Sequence, residues 1–248
     1  MRTDNSEVIE INQIETRRFG VICARLIDTL ENIPDLNEVN RFASEKKIAM
    51  ISARVNVSNL AIVHKLEADG YRLMDTLVYF QRETNDLPQL FSPDNLVIRH
   101  SNINDKEAVA CIAQVAFQGY LGRYHADTRL ADQHADEAYT EWAEECVLSA
   151  SAESPVLVSV RGGKIVGFAA IRRNNADELE IVLNAVHPSE RRCGIYSSLV
   201  VKSLHLANEN RCKRLLISTQ INNYSVQRIW SRLGFVHFKS IYTFHKWF

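Results

Sequence analysis

The stretch NAVHPSERRCGIYSSLV, residues 184–200, predicts the fold of the second half of the chain. An apolar run over 179–186 stops at a His-Pro pair, polar residues follow, and Gly194 begins a segment with helical periodicity. This order indicates a strand, a basic turn and a helix. Because the first turn of a helix has unpaired N–H groups and the positive end of the helix dipole, Arg191 and Arg192 at this place favour phosphate binding.

The composition bounds the class of protein and of partner. A chain of 248 residues with 46% apolar residues can bury the core of one large domain or of two small ones. The net charge is −1 and the charged residues are mixed, which argues against nucleic acid or an anionic membrane surface as the main partner. We therefore expect a small-molecule partner.

The N-terminal residues and the cysteines predict a cytoplasmic protein. The first residues, MRTDNSEVIEINQ, lack the apolar core of a signal peptide, and no apolar run is long enough to span a bilayer. The cysteines are odd in number and have no CxxC spacing, so we predict reduced thiols and no metal site. They are Cys23, Cys111, Cys146, Cys193 and Cys212.

The clearest boundary lies in TNDLPQLFSPDN, residues 84–95, where prolines, Asn and Asp separate two periodic regions. We predict two domains, 1–92 and 93–248. The second reads as a mixed α/β (α+β) fold on a single sheet, with a capping box at Asn104 and Glu107. Its predicted elements are strand 96–100, two helices (the second with Ala135, Ala138, Tyr139, Trp142 and Cys146 on one face), a hairpin at 161–163, strand 178–187, helix 195–209, strand 214–219, helix 225–232 and two strands meeting near 238–240.

The N-terminal region faintly repeats the C-terminal one. When the two are aligned, Ile51 faces Ile217, and after a two-residue insertion Gly70 faces Gly234. Any two β-α-β-β units would align about this well. The alternative is that residues 1–92 are a truncated, degenerate copy of the C-terminal domain, without its basic turn.

The motif from Val186 to Tyr196 resembles the acyl-CoA-binding loop of the GNAT N-acyltransferases, V-x-P followed by (Q/R)-x-x-G-x-(G/A). The predicted order of strands and helices is also theirs, and Asn223, Trp230 and the tripeptide Leu-Gly-Phe ending at Phe235 extend the match. The resemblance implies a GNAT fold, acetyl-CoA (coenzyme A) as the cofactor, and acyl transfer to an amine as the reaction.

A narrower resemblance covers nearly the whole chain. The segments ETRRFGVICARL, FQGYLGRYHADTRL and STQINNYSVQRIWSRLGF are similar to those of the dTDP-fucosamine acetyltransferase type. In that type, a partial acyltransferase-like domain precedes the complete one, and the acceptor is the amine of a nucleotide-linked 4-amino-4,6-dideoxy sugar. The resemblance implies a partial GNAT-like domain over 1–92, a complete GNAT domain over 93–248, and a dTDP-amino sugar as the acceptor.

The resemblance also implies a cofactor site. Backbone N–H groups would bind the pyrophosphate of coenzyme A, and here they belong to Arg191, Arg192, Cys193, Gly194, Ile195 and Tyr196. The preceding strand would splay from its neighbour at a bulge, so that the main chain of Asn184, Ala185 and Val186 can bind the pantetheine arm and polarise the thioester. Asn223 matches a cofactor-contacting Asn of the family.

Glu180 is the predicted general base, because the attacking amine must be neutral. It lies six residues before Val186, where the resemblance places a catalytic glutamate. Strand alternation would put it on the same face as Val182 and Asn184. The alternative is a solvated carboxylate at the strand end, and Glu178 is the backup candidate.

Two residues depart from the family pattern. Tyr196 stands where the loop has Gly or Ala, and Trp230 stands where many members have a Tyr that protonates the departing thiolate. An indole N–H is too weak an acid for that step. Three interpretations stay open: coenzyme A leaves as the thiolate, which we favour; a Tyr such as Tyr224 substitutes; or the protein is a poor catalyst.

The acceptor site is predicted at Arg123, Tyr124 and His125, between the first two helices of the second domain. The alternative is an ordinary polar loop. Two other functions stay open: acylation of a peptide, polyamine or antibiotic amine, and a non-catalytic acyl-CoA-binding protein. The terminal IYTFHKWF alternates like a strand and could pair across a homodimer.

Overall fold

The computed structural model describes residues 8–248 except 28, 30, 31, 33, 34 and 91. The chain divides into two compact units. Unit 1 comprises the described residues up to Val78 together with Leu121–Ala135 and Lys239–Phe248, and unit 2 comprises Tyr79–Tyr120 and Asp136–Phe238. Within the described ranges, no helix is long and apolar enough to cross a bilayer.

Strands and helices alternate along most of the chain. The first elements are Ile9–Ile11 (β1), Gln13–Phe19 (α1), Cys23–Leu26 (β2), Leu36–Glu45 (α2), Met50–Asn56 (β3), Leu60–Ala68 (α3) and Arg72–Glu83 (β4). They are followed by Leu96–His100 (β5), Lys106–Phe117 (α4), Arg123–Ala126 (α5), Asp132–Leu148 (α6), Val156–Arg161 (β6), Lys164–Asn175 (β7), Glu178–Val186 (β8), Ile195–Glu209 (α7), Arg214–Gln220 (β9), Tyr224–Arg232 (α8) and Val236–Trp247 (β10).

Unit 1 is built around strand β3. Strand β2 runs parallel to β3, and β1 runs antiparallel to β2. The last residues of the chain pair with the other edge of β3, where Phe244 of β10 lies opposite Ala53. Apolar residues of α2 and α3, such as Val39 and Leu66, pack with β3 and Phe244 in one buried cluster. Burying this apolar surface is the main source of stability for such a unit.

Unit 2 contains the strand order β5-β6-β7-β8-β9, with the residues of β4 from Tyr79 onward next to β9. The pairs from β5 to β8 are antiparallel, and β8 is parallel to β9. Gly162 and Gly163 both have positive φ, as a two-residue hairpin between β6 and β7 requires. Helices α4 and α6 pack on β6, β7 and β8 through a core that includes Phe168. This sheet confirms the predicted mixed α/β fold.

Three local predictions were wrong. The capping box is formed by Asn102 and Asp105, not two residues later, because Asn102 accepts the N–H of Asn104 and Asp105 accepts that of Asn102. Trp142, predicted on the buried face of α6, is 41% exposed, whereas Ala143 is buried. The last segment is one continuous strand, β10, rather than two.

The internal repeat is stronger than the sequence suggests, and its offset is constant. Adding 164 to the numbers that bound β3, α3 and β4 gives the bounds of β9, α8 and β10, as from Met50 to Arg214. The ends of α2 and α7 follow the same offset, and so do Lys47 and Arg211 just beyond them, which both have positive φ. The predicted insertion was therefore wrong, since Ile51 is equivalent to Leu215 and not to Ile217.

The first copy lacks the segment that the second copy uses for its basic turn. Cys23 of β2 pairs with Met50 of β3, whereas Glu178 of β8 pairs with Arg214 of β9. Because Met50 and Arg214 are equivalent in the repeat, the connection between paired strands is shorter in the first copy. The missing segment lies before α2. In the second copy it corresponds to the end of β8, the basic loop and the first turn of α7. The domain bounds 1–92 and 93–248 stay a prediction.

Candidate active site

Strand β8 separates from β9 halfway along its length. The two strands pair only from Glu178 to Ile181 of β8, opposite Arg214–Ile217 of β9. Beyond Ile181, β8 continues to Val186 with β7 as its only strand partner among the described residues. Val182 is the extra residue of a bulge, since the register to β7 shifts at this point. The structure thus contains a splay and a bulge of the kind the resemblance implied.

The open edge of β8 offers main-chain groups to a ligand. His187 donates its N–H to the carbonyl of Val166, which lies directly opposite on β7. Hydrogen-bonded and non-hydrogen-bonded positions alternate in an antiparallel pair, so the N–H and C=O of Ala185 also face β7. The N–H and C=O groups of Asn184 and Val186 face the gap that opens where β8 and β9 separate. Of the three predicted strand residues, two therefore present main-chain donors and acceptors to the open side.

The basic loop leads into a helix start that no side chain caps. Gly194 is the N-cap of α7 with φ 79°, and it makes no side-chain cap bond. Arg191 donates its N–H to Pro188, but the N–H groups that follow, from Arg192 to Ser197, find no protein acceptor among the described residues. Unpaired N–H groups at a helix start bind anions. The geometry of the predicted pyrophosphate-binding segment is therefore present from Arg192 to Tyr196.

Backbone conformation distinguishes this loop from an ordinary turn. Arg192 has φ 65°, a left-handed conformation that residues other than Gly, Asn and Asp rarely adopt. Such conformations cluster at ligand-binding sites. The Arg191 guanidinium reaches the carbonyl of Ala116, at the end of α4, at 3.5 Å. Arg191, Arg192 and Cys193 are all exposed, so the loop presents two cations to solvent.

Arg161 orders the loop and was missed in the sequence, where it stood out only as a hairpin residue. Its Nη1 donates to Glu190 at 2.9 Å. Hydrogen bonds with the Cys193 thiol and Glu190 also hold the pKa of the Arg161 guanidinium above its usual range. The β6–β7 hairpin thereby brings a third cation to the loop.

Polar side chains gather on the α7 side of the splay. Trp230, buried in α8, donates its indole N–H to the Tyr196 hydroxyl at 3.0 Å. Burial raises the pKa of the Tyr196 phenol, and hydrogen bonds with Trp230 and Asn184 oppose part of that rise. Tyr224, the other tyrosine considered as an acid, is 63% exposed.

A second polar group lies at the end of β9. Asn223, the N-cap residue of α8, donates its amide to the Thr219 hydroxyl at 3.1 Å. The Tyr120 hydroxyl bonds with Thr219 at 3.0 Å and donates to Gln220. Tyr120 was missed because it follows α4 by three residues, in a segment with no periodic signal. Its place is set by packing against Phe117 and Tyr139.

Glu180 lies in a network of buried carboxylates. It is 8% exposed, like Glu178, and accepts from Arg172 at 2.9 Å and from Asn174 at 3.0 Å. The same Asn174 amide donates to Glu178, which also accepts from Arg214 at 2.7 Å. Glu180 is thus not a solvated strand-end carboxylate. Its role as the base stays a prediction.

The bulge changes the face on which Glu180 lies. Glu180 is opposite Arg172 and Leu183 is opposite Ala170, so both side chains share the face of β7 that packs under α4 and α6. Asn184 lies on the other face, where it meets Tyr196 of α7. The expected alternation from Glu180 through Val182 to Asn184 was therefore wrong, because the extra residue shifts the alternation by one.

The predicted acceptor residues lie in unit 1. Arg123 Nη2 donates to Glu15 at 2.6 Å and to the Tyr124 hydroxyl at 2.6 Å, and Tyr124 donates to Glu15 at 2.8 Å. Glu15 is 1% exposed, so this is a buried ion pair. His125 is half-buried on the same short helix. The positive charge of Arg123 is already balanced, and the acceptor role of these residues stays a prediction.

All five cysteines have free thiols, as predicted. Cys23 and Cys212 are buried, and Cys111 and Cys193 are exposed. Burial raises the pKa of Cys23 to about 12, and the charge of Glu15 adds to that rise. Cys23 is therefore a protonated core thiol at neutral pH.

Known proteins share sequence and fold with this chain. The acetyltransferase (GNAT) family profile matches residues 114–235. The spore coat polysaccharide biosynthesis protein SpsD of Bacillus subtilis (strain 168) is 26% identical over 144 residues, which cover 58% of this chain and 48% of that protein. The match thus spans about half the length of that curated relative.

Two solved structures share the fold. The GCN5-related N-acetyltransferase from Sphaerobacter thermophilus superposes with a TM-score of 0.64 at 14% identity, over 96% of this chain and 76% of that chain. A tandem GNAT protein from the clavulanic acid biosynthesis pathway superposes with a TM-score of 0.61 at 12% identity, over 91% of this chain and 75% of that chain. These identities show a common fold alone. Residues 114–235, which include the splayed strand, the basic loop and helices α7 and α8, are therefore an acetyltransferase domain of the GNAT family, whose members use acetyl-CoA.

Proposed function

We propose that this enzyme acetylates the amine of a nucleotide-linked amino-dideoxy sugar, with dTDP as the nucleotide. The observation that carries the acyl-transfer chemistry is the open edge of β8 beside the uncapped start of α7. The sugar acceptor is supported by the resemblance of three segments of the sequence and by the polysaccharide-biosynthesis name of the Bacillus relative. Both lines of support come from the amino-acid sequence, and both favour a sugar.

The donor site is proposed along β8 and α7. The N–H groups from Arg192 to Tyr196 would hold the pyrophosphate, with Arg191 and Arg192 adding charge-assisted hydrogen bonds. The main chain of Asn184 and Val186 would pair with the pantetheine arm, while Ala185 serves through its bond to β7. When bound, acetyl-CoA supplies an electrophilic thioester carbonyl, and an N–H of the open edge would stabilise the charge that develops on its oxygen.

The chemical step needs a neutral amine, since an ammonium ion has no lone pair to attack with. Glu180 is proposed as the base that takes the proton, directly or through one water. Its carboxylate is fixed by Arg172 and Asn174, which keeps its orientation constant. Direct attack in a ternary complex requires no acyl-enzyme, and Cys193 is proposed as a loop residue of the cofactor site only.

The proposal extends to location and partners. The chain is proposed to act in the cytoplasm on small molecules, without nucleic acid or membrane. Arg123, Tyr124 and His125 remain the proposed acceptor residues, and a homodimer through the C-terminal strand stays a prediction.

The test is release of coenzyme A from acetyl-CoA by the purified protein, with and without a panel of dTDP-linked 4-amino and 3-amino dideoxy sugars. Sugar-dependent release supports the proposed function. Release only with polyamines, peptides or antibiotic amines would replace the sugar by another acceptor. Acetyl-CoA binding without turnover on any amine would identify an acyl-CoA-binding protein instead.

A further inference from the structure

The two residues that depart from the family pattern contact each other. Tyr196, at the place of a Gly or Ala, accepts the indole N–H of Trp230, at the place of a Tyr, at 3.0 Å. Trp230 is 1% exposed, and its ring packs edge-on against Phe80 with the ring centroids 5.4 Å apart. The indole is therefore fixed, and it fixes the Tyr196 hydroxyl in turn.

The hydrogen bonds at Tyr196 set the direction of its proton. The hydroxyl oxygen has two lone pairs and one hydrogen. The Trp230 N–H donates to the oxygen at 3.0 Å. The hydrogen bond with Asn184 lowers the pKa of the phenol, as a donor to its oxygen does. Two donors at the oxygen leave the hydroxyl hydrogen for a third group.

The hydroxyl lies next to the proposed path of the acyl donor. Tyr196 is the second residue of α7, whose first N–H groups are unpaired, and Asn184 belongs to the open edge of β8. A thioester bound from the start of α7 to this edge, as proposed above, would pass the Tyr196 hydroxyl. A second phenol, that of Tyr120, raises the pKa of Tyr196 electrostatically. Its own hydrogen bonds are to Thr219 and Gln220.

We propose that the Tyr196 hydroxyl donates a hydrogen bond to the departing coenzyme A thiolate, and that Trp230 is the positioning residue of that hydroxyl. This inference rests on the proposed acyl transfer. The amine nitrogen bonds to the carbonyl carbon, and the carbon–sulfur bond breaks with its electron pair on sulfur. The sulfur leaves as a thiolate that accepts the hydrogen bond of the Tyr196 hydroxyl, and the amine loses one proton to the base. The products are the amide and the coenzyme A thiolate, which takes a proton from water after release.

The environment of Tyr196 suits a hydrogen-bond donor that keeps its proton. Burial raises the pKa of this phenol above its ordinary value, so it stays protonated at neutral pH. A thiolate is a weaker base than this phenolate, so the hydrogen stays on the Tyr196 oxygen and stabilises the thiolate through a hydrogen bond. The chain thus carries a hydroxyl on α7 where the family pattern has one on α8.

The test measures the bound product as well as turnover. Coenzyme A is bound to the wild type, to Tyr196→Phe and to Tyr224→Phe, and its thiol is titrated through the ultraviolet absorbance of the thiolate. Calorimetry checks that each variant still binds coenzyme A. A hydroxyl that donates to the thiolate lowers the thiol pKa, so Tyr196→Phe should raise it by about one to two pKa units. Tyr224→Phe should match the wild type.

Kinetics give the second measurement. Tyr196→Phe removes a donor to developing negative charge and should lower kcat by about 10²- to 10³-fold, with the KM for acetyl-CoA changed by no more than about twofold. Trp230→Phe keeps the hydroxyl but loses its donor, and it should lower kcat by about tenfold at unchanged KM.

An unchanged thiol pKa in Tyr196→Phe would overturn the proposal, as would a shift in Tyr224→Phe instead. If the wild type shows no turnover with any amine, the proposed acceptors are rejected. The thiol titration would still decide the role of Tyr196.

Discussion

Asn59 and Asn223 occupy equivalent positions of the repeat, the N-cap of α3 and of α8, but only Asn59 caps its helix. The Asn59 side chain accepts the N–H of Ile62 at 3.3 Å. The Asn223 side chain instead donates to Thr219 and accepts from Ser225. In the second copy this residue thus has no capping role, at the position where the sequence predicts a contact with the cofactor.

This difference predicts opposite effects of one substitution. Asn59→Ala should lower the free energy of unfolding by about 1 kcal/mol, the usual cost of a lost N-cap, and leave acetyl-CoA binding unchanged. Asn223→Ala should change stability by less than about 0.5 kcal/mol and weaken acetyl-CoA binding. Urea denaturation and calorimetry measure the two quantities. Equal stability losses would show that Asn223 also serves as a cap.

Glu180→Gln should lower kcat by about 10²- to 10⁴-fold, because the amide keeps the shape of the side chain and cannot take a proton. Arg172→Gln breaks the same ion pair but leaves the carboxylate in place, so it should cost far less. Steady-state kinetics with the best acceptor of the panel compare them. If both variants lose activity equally, Glu180 acts through its ion pair and is not the base.

Gly194→Ala should weaken acetyl-CoA binding, since an added methyl group opposes the left-handed conformation of the loop, at φ 79°. Gly70→Ala is the matched control, because Gly70 has φ 86° and open space around it, in the N-terminal copy of the repeat that lacks the basic loop. Both should lose about 1 kcal/mol of stability. Calorimetry should show weaker binding for Gly194→Ala alone, and equal binding by the two variants would contradict the proposed phosphate site.

Arg123→Met should lower the free energy of unfolding by about 3 to 5 kcal/mol, because it leaves the buried Glu15 carboxylate without its partner. The control is Arg25→Met. Arg25 and Glu10 form an ion pair whose side chains are 57% and 48% exposed, and its loss should cost no more than about 1 kcal/mol. A stable Arg123→Met variant with a raised KM for the acceptor would instead assign Arg123 to substrate binding.

Thiol labelling should distinguish the cysteines. Exposed Cys193 and Cys111 should react with an alkylating reagent at neutral pH, while Cys23 should stay unreactive because burial raises its pKa from 9.0 to about 12. Saturating acetyl-CoA should protect Cys193, in the basic loop, and leave Cys111, on α4, reactive. Mass spectrometry of the labelled peptides identifies each site. Equal protection of both, or of neither, would contradict the proposed loop contact.

The same shift gives a pH dependence of stability. The folded state keeps the Cys23 proton above pH 9.0, where the unfolded chain loses it. The contribution of this thiol is therefore complete below pH 9.0 and is lost as the pH rises towards 12. The decline over this window should be smaller in Cys23→Ala.

The sequence by itself determined the elements whose signals are local. Helix α7 begins and ends where the apolar period and Gly194 predict, at Ile195 and Glu209. The β6–β7 hairpin follows from two glycines, because a two-residue hairpin turn needs positive φ at both positions. The basic loop between a strand and a helix was readable for the same reason, since each of its signals lies within a few residues.

Only the tertiary structure decided the features that depend on pairing between distant segments. The bulge at Val182 arises from the register with β7, and the splay arises where pairing with β9 stops. The contact of Tyr196 with Trp230 joins residues 34 positions apart. Strand register and side-chain contacts are set by the energy of packing whole faces together, so a local pattern names the residues available for a site and the fold selects those that meet.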